Sequence, residues 1–178
     1  MKKYLFVIPT LSSGGAERVV AVLSTAISEK REVVVLKYHD TEADYDIGDK
    51  VKVINLAGGN LEVYKRISLL KKIRLIRKII SEETPDYVIP FLFPVALCVE
   101  LATIGLKVKV FQSMRVDPAS APKILWQRRV RDFLVHKSKC TFVQNSAQKE
   151  YFKKSIHKKI HVLFNPVSES LFQCNAKT

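Results

Sequence analysis

Residues 12–18 read Ser-Ser-Gly-Gly-Ala-Glu-Arg and stand between an apolar run at 4–8 and a stretch of helical periodicity beginning at Ala16. A strand that ends in a glycine turn and opens directly into a helix presents free backbone N–H groups, and the positive end of a helix dipole, at the edge of a sheet. The chemistry on offer at Gly14 and Gly15 is therefore the holding of an anionic ligand. Taken alone, the loop is equally explained as a tight strand-to-helix turn, since glycine is the default residue at such turns. It fits neither the G-x-G-x-x-G dinucleotide fingerprint nor a P-loop, because no Gly-Lys-Ser or Gly-Lys-Thr occurs. A nicotinamide enzyme or an NTPase is disfavoured.

A second polar stretch, 113–118, carries Arg115 and Asp117, which either bind hydroxyls or phosphate of a ligand or pair with each other at the rim. Glu17 follows the glycines, but in the first turn of a helix a carboxylate is explained by the macrodipole, and no catalytic role is assigned to it. His39, His136, His157 and His161 are scattered without an accompanying carboxylate or thiol pattern, so no metal site is expected. Cys98, Cys140 and Cys174 are widely spaced and form no C-x-x-C pair, which fits reduced thiols in a cytosolic protein better than a disulfide framework.

These residues need a frame. The chain has 178 residues, 47% of them hydrophobic, enough to bury the core of one ordinary domain. Apolar runs recur at 4–8, 33–38, 51–56, 87–90, 108–112, 140–144 and 160–164. Several are continuous rather than alternating, the pattern of strands covered on both faces, and this predicts a parallel sheet. Helix-period segments lie between them at 16–30, 61–83, 94–104, 122–137 and 146–155. The alternation predicts an α/β, Rossmann-like, doubly wound and mainly parallel sheet of about six or seven strands, with helices on both faces. Thr84-Pro85-Asp86 is a helix stop, Ser146 is the expected N-cap of the segment it begins, and 39–49 and the tail from 168 read as loose.

Four stretches occur in a telling order. Phe6-Val7-Ile8-Pro9-Thr10-Leu11 leads into Gly14-Gly15-Ala16-Glu17-Arg18-Val19-Val20. Pro85-Asp86-Tyr87-Val88-Ile89, Ser113-Met114-Arg115-Val116-Asp117-Pro118 and Lys159-Ile160-His161-Val162-Leu163-Phe164-Asn165-Pro166-Val167 follow. Together they resemble the N-terminal, acceptor-binding domain of a family 4 glycosyltransferase of the GT-B class. The resemblance implies one half of a GT-B fold. It also implies transfer of a sugar from a nucleotide-diphosphate sugar, as co-substrate without a cofactor, to a glycan or polyprenyl-diphosphate-linked acceptor in bacterial surface polysaccharide biosynthesis.

The same resemblance puts the glycine loop and the 113–118 loop at an interdomain cleft. Gly14, Gly15, Arg18, Ser113, Arg115 and Asp117 become the substrate-binding candidates, and no catalytic residue is assigned. Many relatives carry a histidine in the second loop; this chain has Met114 and Arg115 there, so no histidine role transfers. Asn165-Pro166 is expected to set a turn or hinge rather than to bind ligand. Residues 1–167 would form the acceptor domain and 168–178 a tail or the start of a linker. The nucleotide-sugar domain would then be supplied in cis or in trans, leaving the isolated chain inactive. A non-catalytic, membrane-docking and acceptor-recruiting subunit of a split transferase is the alternative.

Charge points to a further partner. Thirty Lys and Arg against 17 Asp and Glu give +13 and a pI near 9.7, far enough from neutral to imply an anionic one. The candidates to face an anionic membrane are Lys65, Arg66, Lys71 and Lys72 in one cluster and Arg128, Arg129 and Arg131 in another, the latter near Trp126 and Phe133. In the first cluster Leu69, Ile73, Ile76 and Ile80 form an apolar stripe. Such a helix either lies on the bilayer, where each cation is worth about 1 kcal/mol, or packs its stripe on the sheet with the cations solvated. The expected location is cytoplasmic, peripheral at the inner face of the plasma membrane. Pro90, Pro94 and Glu100 interrupt the longest apolar stretch, which disfavours a spanning helix, and the first apolar run is too short for a secretory signal. Nucleic acid is disfavoured, since no helix-turn-helix, zinc finger or aromatic RNA-binding motif is present.

Overall fold

The computed structural model describes residues 1–12, 14–41 and 44–165. Ser13, Pro166, Val167, Cys174 and the boundary between 167 and 168 lie outside the described residues. The elements, in chain order, are β1 (Lys3–Ile8), α1 (Gly15–Ser28), β2 (Glu32–Lys37), β3 (Lys52–Asn55), α2 (Leu61–Arg66), α3 (Leu69–Glu83) and β4 (Tyr87–Pro90). There follow α4 (Phe93–Ala102), β5 (Lys109–Ser113), α5 (Leu125–Lys137), β6 (Cys140–Val143), α6 (Ser146–Glu150), a 3-10 turn at Lys154–Lys159 and β7 (Ile160–Val162). Among the described residues seven strands form one sheet in the order β3-β2-β1-β4-β5-β6-β7, and every pairing is parallel.

The continuous apolar runs are explained by this arrangement, because successive side chains of a strand point to opposite faces and both faces are covered. Leu5 and Val7 of β1 meet Val34 and Leu36 of β2 and pack under Ile76 and Ile80 of α3 and Val95 and Val99 of α4. Phe6 and Ile8 face the other way, joining Val33 and Val35 beneath Val19 and Val20 of α1. A third cluster, around Met114, Val135, Val143 and Ile160, closes the β5 to β7 end. The predicted doubly wound sheet is the observed one.

Local chemistry departs from expectation at three places. The segment 61–83 is two helices: Ile67 is extended, and the Ser68 side chain accepts from Lys71 N at 3.4 Å, capping a new start. Asn145, rather than Ser146, caps α6, its Oδ1 accepting from Gln148 N at 2.9 Å. The helix expected to reach residue 155 stops at Glu150 and gives way to the 3-10 turn. The stop at Thr84-Pro85 is as expected, with Thr84 left-handed at φ 44°. The apolar stripe of α3 splits along its length, with Ile76 and Ile80 buried under the sheet and Leu69 exposed.

Glu83, at the end of α3, accepts from Lys3 Nζ of β1 at 2.7 Å and from Lys52 Nζ of β3 at 2.6 Å. It thereby ties together two strands separated by β2. Those two lysine hydrogen bonds hold its carboxyl below the ordinary value of 4.5. A carboxyl whose pKa is lower in the folded state stabilises above its unfolded pKa, and that stabilisation is lost as pH falls through the folded value. Glu83→Gln is therefore expected to cost about 1–2 kcal/mol in urea unfolding at neutral pH. The gap to wild type should close on the acid limb; an equal gap at neutral and acid pH would refute this role.

Candidate functional site

Seven parallel strands send every strand-to-helix loop to one edge of the sheet. The loops after β1, β4, β5, β6 and β7 therefore share a rim. β1 connects onward to β2 on one side while β4 lies on its other side, so the loop after β1 sits at the topological switch point, where open α/β sheets bind ligands. One strand, β4, separates β1 from β5, which puts the two predicted loops about 10 Å apart at strand spacing.

At the first loop, Gly14 is the N-cap of α1 and provides no side-chain cap. Its N–H donates to Ser12 O at 2.7 Å and its carbonyl accepts from Arg18 N at 3.0 Å. A Cβ at Gly14 would collide with the Glu17 carboxylate, whereas one at Gly15 would meet open space. The Glu17 side chain folds back against Gly14, where its carboxylate complements the positive end of the macrodipole. An anion approaching this end of α1 meets Glu17, so the loop is an open wall at Gly15 with its charge partly answered from within.

The second loop is more unusual. Arg115 is 7% exposed, and its guanidinium lies 5.6 Å from the centroid of the Phe91 ring. Its Nε donates to Ser113 Oγ at 3.0 Å, and its Nη1 donates to Leu163 O and Asn165 Oδ1, each at 3.2 Å. All three partners are neutral, and burial alone pushes the guanidinium down to about 10. Asp117 is turned away: its carboxylate accepts from Ala119 N at 3.1 Å within its own turn, and that bond holds it below the usual range. The alternative that Arg115 and Asp117 pair with each other is thus overturned, because the turn captures the carboxylate. Asn165, expected only to shape a turn, also accepts from Gln144 Nε2 at 3.2 Å and joins the ends of β6 and β7 to Arg115.

Beside Arg115 a cavity of about 310 Å³ opens between α4 and α5. Phe93, Pro94, Met114, Val116, Leu134 and Val135 give it a largely apolar lining, with Gln112, Ser113, Gln127 and, besides Arg115, Arg131 as polar points. Gln112 Nε2 donates to Glu100 Oε1 of α4 at 2.6 Å, and burial raises that carboxyl above its ordinary value. Leu92, on the rim, has φ 71°, a left-handed value that costs a non-glycine residue about 1–3 kcal/mol. No sequence signal identified this cavity, since its walls are ordinary apolar residues from three separate segments. Among the described residues no group of three His, Cys, Asp or Glu side chains is placed to hold a metal.

The second basic cluster is largely internal, which corrects its assignment to a membrane face. Arg131 is 4% exposed: its Nη1 donates to Pro118 O at 2.7 Å and to Ala121 O, and its Nη2 to Asp132 Oδ1 and Tyr151 Oη. Arg128 is half-buried and donates to Pro122 O at 2.6 Å and Ser120 O at 3.1 Å. Both clamp the 117–122 loop, because its carbonyls have no strand or helix to pair with. Of the three, Arg129 is the exposed one. We expect Arg131→Met to destabilise by about 2–3 kcal/mol, since it leaves buried carbonyls unpaired, against less than about 0.5 kcal/mol for Arg129→Ala. Equal denaturation midpoints for the two variants would refute the clamp.

No protein-family model matches this chain. In sequence it is 32% identical over 168 residues to the GalNAc-alpha-(1->4)-GalNAc-alpha-(1->3)-diNAcBac-PP-undecaprenol alpha-1,4-N-acetyl-D-galactosaminyltransferase of Campylobacter jejuni subsp. jejuni serotype O:2. The match covers 93% of this chain and 46% of the relative, so the chain spans about half the length of the curated relative it matches. In structure it is similar to the lipopolysaccharide outer core galactosyltransferase WaaB in its apo form, with TM-score 0.68, 16% identity, and coverage of 94% of this chain and 46% of that one. It is also similar to sucrose-phosphate synthase from Thermosynechococcus elongatus, with TM-score 0.72, 11% identity, and coverage of 98% and 53%. At these identities the structural likeness carries the fold alone, and the Campylobacter match carries the kinship. By the first the chain is a homologue of about half of a glycosyltransferase, and by the second it has the fold of one half of a GT-B enzyme.

Proposed function

We propose that this chain is the acceptor-binding half of a glycosyltransferase that moves a sugar from a nucleotide-diphosphate donor to a glycan carried on polyprenyl diphosphate, in the assembly of a bacterial surface glycan. One observation carries the reading beyond kinship: a guanidinium buried at the loop edge of the sheet, with only neutral partners among the described residues. A buried cation without a counter-charge is costly, and an anionic ligand relieves that cost. The Campylobacter relative is named for an acceptor joined to undecaprenol through -PP-, which has the matching charge.

In this reading Arg115 and Ser113 address the acceptor's diphosphate or hydroxyls, and the open backbone at Gly15 with Arg18 forms the adjoining wall of the cleft. Asp117 is close in sequence but committed to its turn. Sugar transfer expels a nucleoside diphosphate, whose growing charge must be stabilised by donors on the opposite wall. That wall belongs to a donor domain, joined in cis or supplied in trans, and the nucleotide sugar is a co-substrate with no resident cofactor required.

A peripheral position on an anionic membrane at the cytoplasmic face is part of the proposal. On α2 and α3, Arg66, Lys71 and Arg74 are exposed beside exposed Leu69 and Leu70. Lys65 is engaged with Glu62 at 2.6 Å, and Lys72 lies 3.9 Å from the centroid of the Tyr64 ring. At the start of α5, Lys123 and Arg129 are exposed beside Leu125 and Trp126, which are 70% and 57% exposed. No helix among the described residues is long and apolar enough to cross a membrane.

Two measurements test these points. The 178-residue chain should cosediment with anionic vesicles at low salt and not with neutral ones, and Lys71→Glu with Arg129→Glu should weaken that binding; equal binding to both vesicle types would refute the membrane face. With a radiolabelled nucleotide sugar and a polyprenyl-diphosphate glycan, the chain alone should transfer no label. Joined to a donor domain it should transfer label, and Arg115→Gln should abolish most of that transfer. Robust turnover by the chain alone, or no effect of Arg115→Gln, would refute the division of labour.

A further inference from the structure

We infer that the cavity between α4 and α5 seats the isoprenoid units next to the diphosphate of the acceptor lipid, with Arg115 at the diphosphate end. The inference rests on the acceptor-binding reading above and assigns it a lipid subsite. Three observations converge on an amphiphilic anion.

The walls contributed by Phe93, Pro94, Met114, Val116, Leu134 and Val135 are hydrocarbon or nearly so. Sugar hydroxyls entering there would give up water for few donors or acceptors, whereas branched hydrocarbon loses nothing and leaves water. Against one wall lies the Arg115 guanidinium, more than nine-tenths buried and satisfied, among the described residues, by neutral oxygens. An anionic group on the ligand would answer its charge. Hydrocarbon and negative charge within one small site is the chemistry of a prenyl diphosphate.

The third observation is the route. Pro122 and Gln127 line the cavity, and between them in sequence Ile124, Leu125 and Trp126 are all exposed at the start of α5. An apolar turn of this kind with flanking Lys123 and Arg129 suits the headgroup boundary of an anionic bilayer, where Trp prefers to sit. A chain leaving the bilayer there reaches the cavity without crossing open water. At about 310 Å³ the cavity lies at the small end of ligand pockets, so it takes the first units of the chain while the remainder stays in the membrane.

The test is binding of farnesyl diphosphate, inorganic diphosphate and farnesol to the 178-residue chain, followed by calorimetry and by chemical-shift changes at Met114 and Val135. Farnesyl diphosphate should bind at least about tenfold more tightly than inorganic diphosphate. Gln127→Trp and Val116→Trp, which fill the cavity from α5 and from an exposed loop, should each remove that gain, so that farnesyl diphosphate binds each variant no more tightly than inorganic diphosphate does. Arg115→Gln should bring farnesyl diphosphate down to the level of farnesol. A prenyl gain that is absent, or that survives both tryptophan variants with their thermal unfolding unchanged, overturns the subsite. If farnesyl diphosphate fails to bind while the joined enzyme still transfers sugar to its polyprenyl-linked acceptor, the subsite falls and the acceptor-half reading stands. Loss of that transfer in the wild-type joined enzyme is the separate failure of the reading itself.

Discussion

β1 is hydrogen-bonded on both sides, to β2 and β4, and covered on both faces, by α1 on one and by α3 and α4 on the other. Its residues Leu5, Phe6, Val7 and Ile8 are essentially without solvent contact, and each such burial is worth about 1.5–3 kcal/mol. A strand enclosed in this way cannot slip by one residue without driving its side chains into the wrong layer. The parallel pairing it enforces has a second effect. Every strand must be entered from the same end, so all the strand-to-helix loops gather at the other, and polar chemistry has one rim on which to collect.

On that rim, arginines of the same type end in different states. Arg131 and Arg128 spend their donors on carbonyls of the 117–122 loop, which would otherwise be buried unpaired. Arg115 also donates to backbone and side-chain oxygens, yet its charge meets no carboxylate among the described residues, and burial pushes the guanidinium down to about 10. Arg129 remains in solvent. A forked, permanently charged donor set suits all of these uses, so residue type alone does not separate scaffold from site.

Legibility followed the range of the interaction. The seven apolar runs became seven strands, because continuous hydrophobicity reports burial on both faces directly. The break at Ser68 and the cap at Asn145 were written in local chemistry but overshadowed by longer patterns, a heptad-like stripe in one case and a neighbouring serine in the other. The cavity had no linear signature at all. Its walls come from the start of α4, the end of β5 with the loop that follows it, and the inner face of α5, and none of those residues taken alone marks a ligand site.

The amino-acid sequence by itself determined the α/β alternation, the parallel sheet, the glycine opening at Gly14 and Gly15 and the kinship carried by four ordered stretches. These are properties of periodicity and short-range spacing, which the chain keeps whether or not it is folded. Only the tertiary structure decided which charges are free: it drew Arg131 inward, turned Asp117 away from Arg115 and left that guanidinium buried beside an apolar cavity. The physical reason is that desolvation and pairing depend on what surrounds a charge in space, and for Arg115 those surroundings include Leu163 and Asn165, about 50 residues further along the chain.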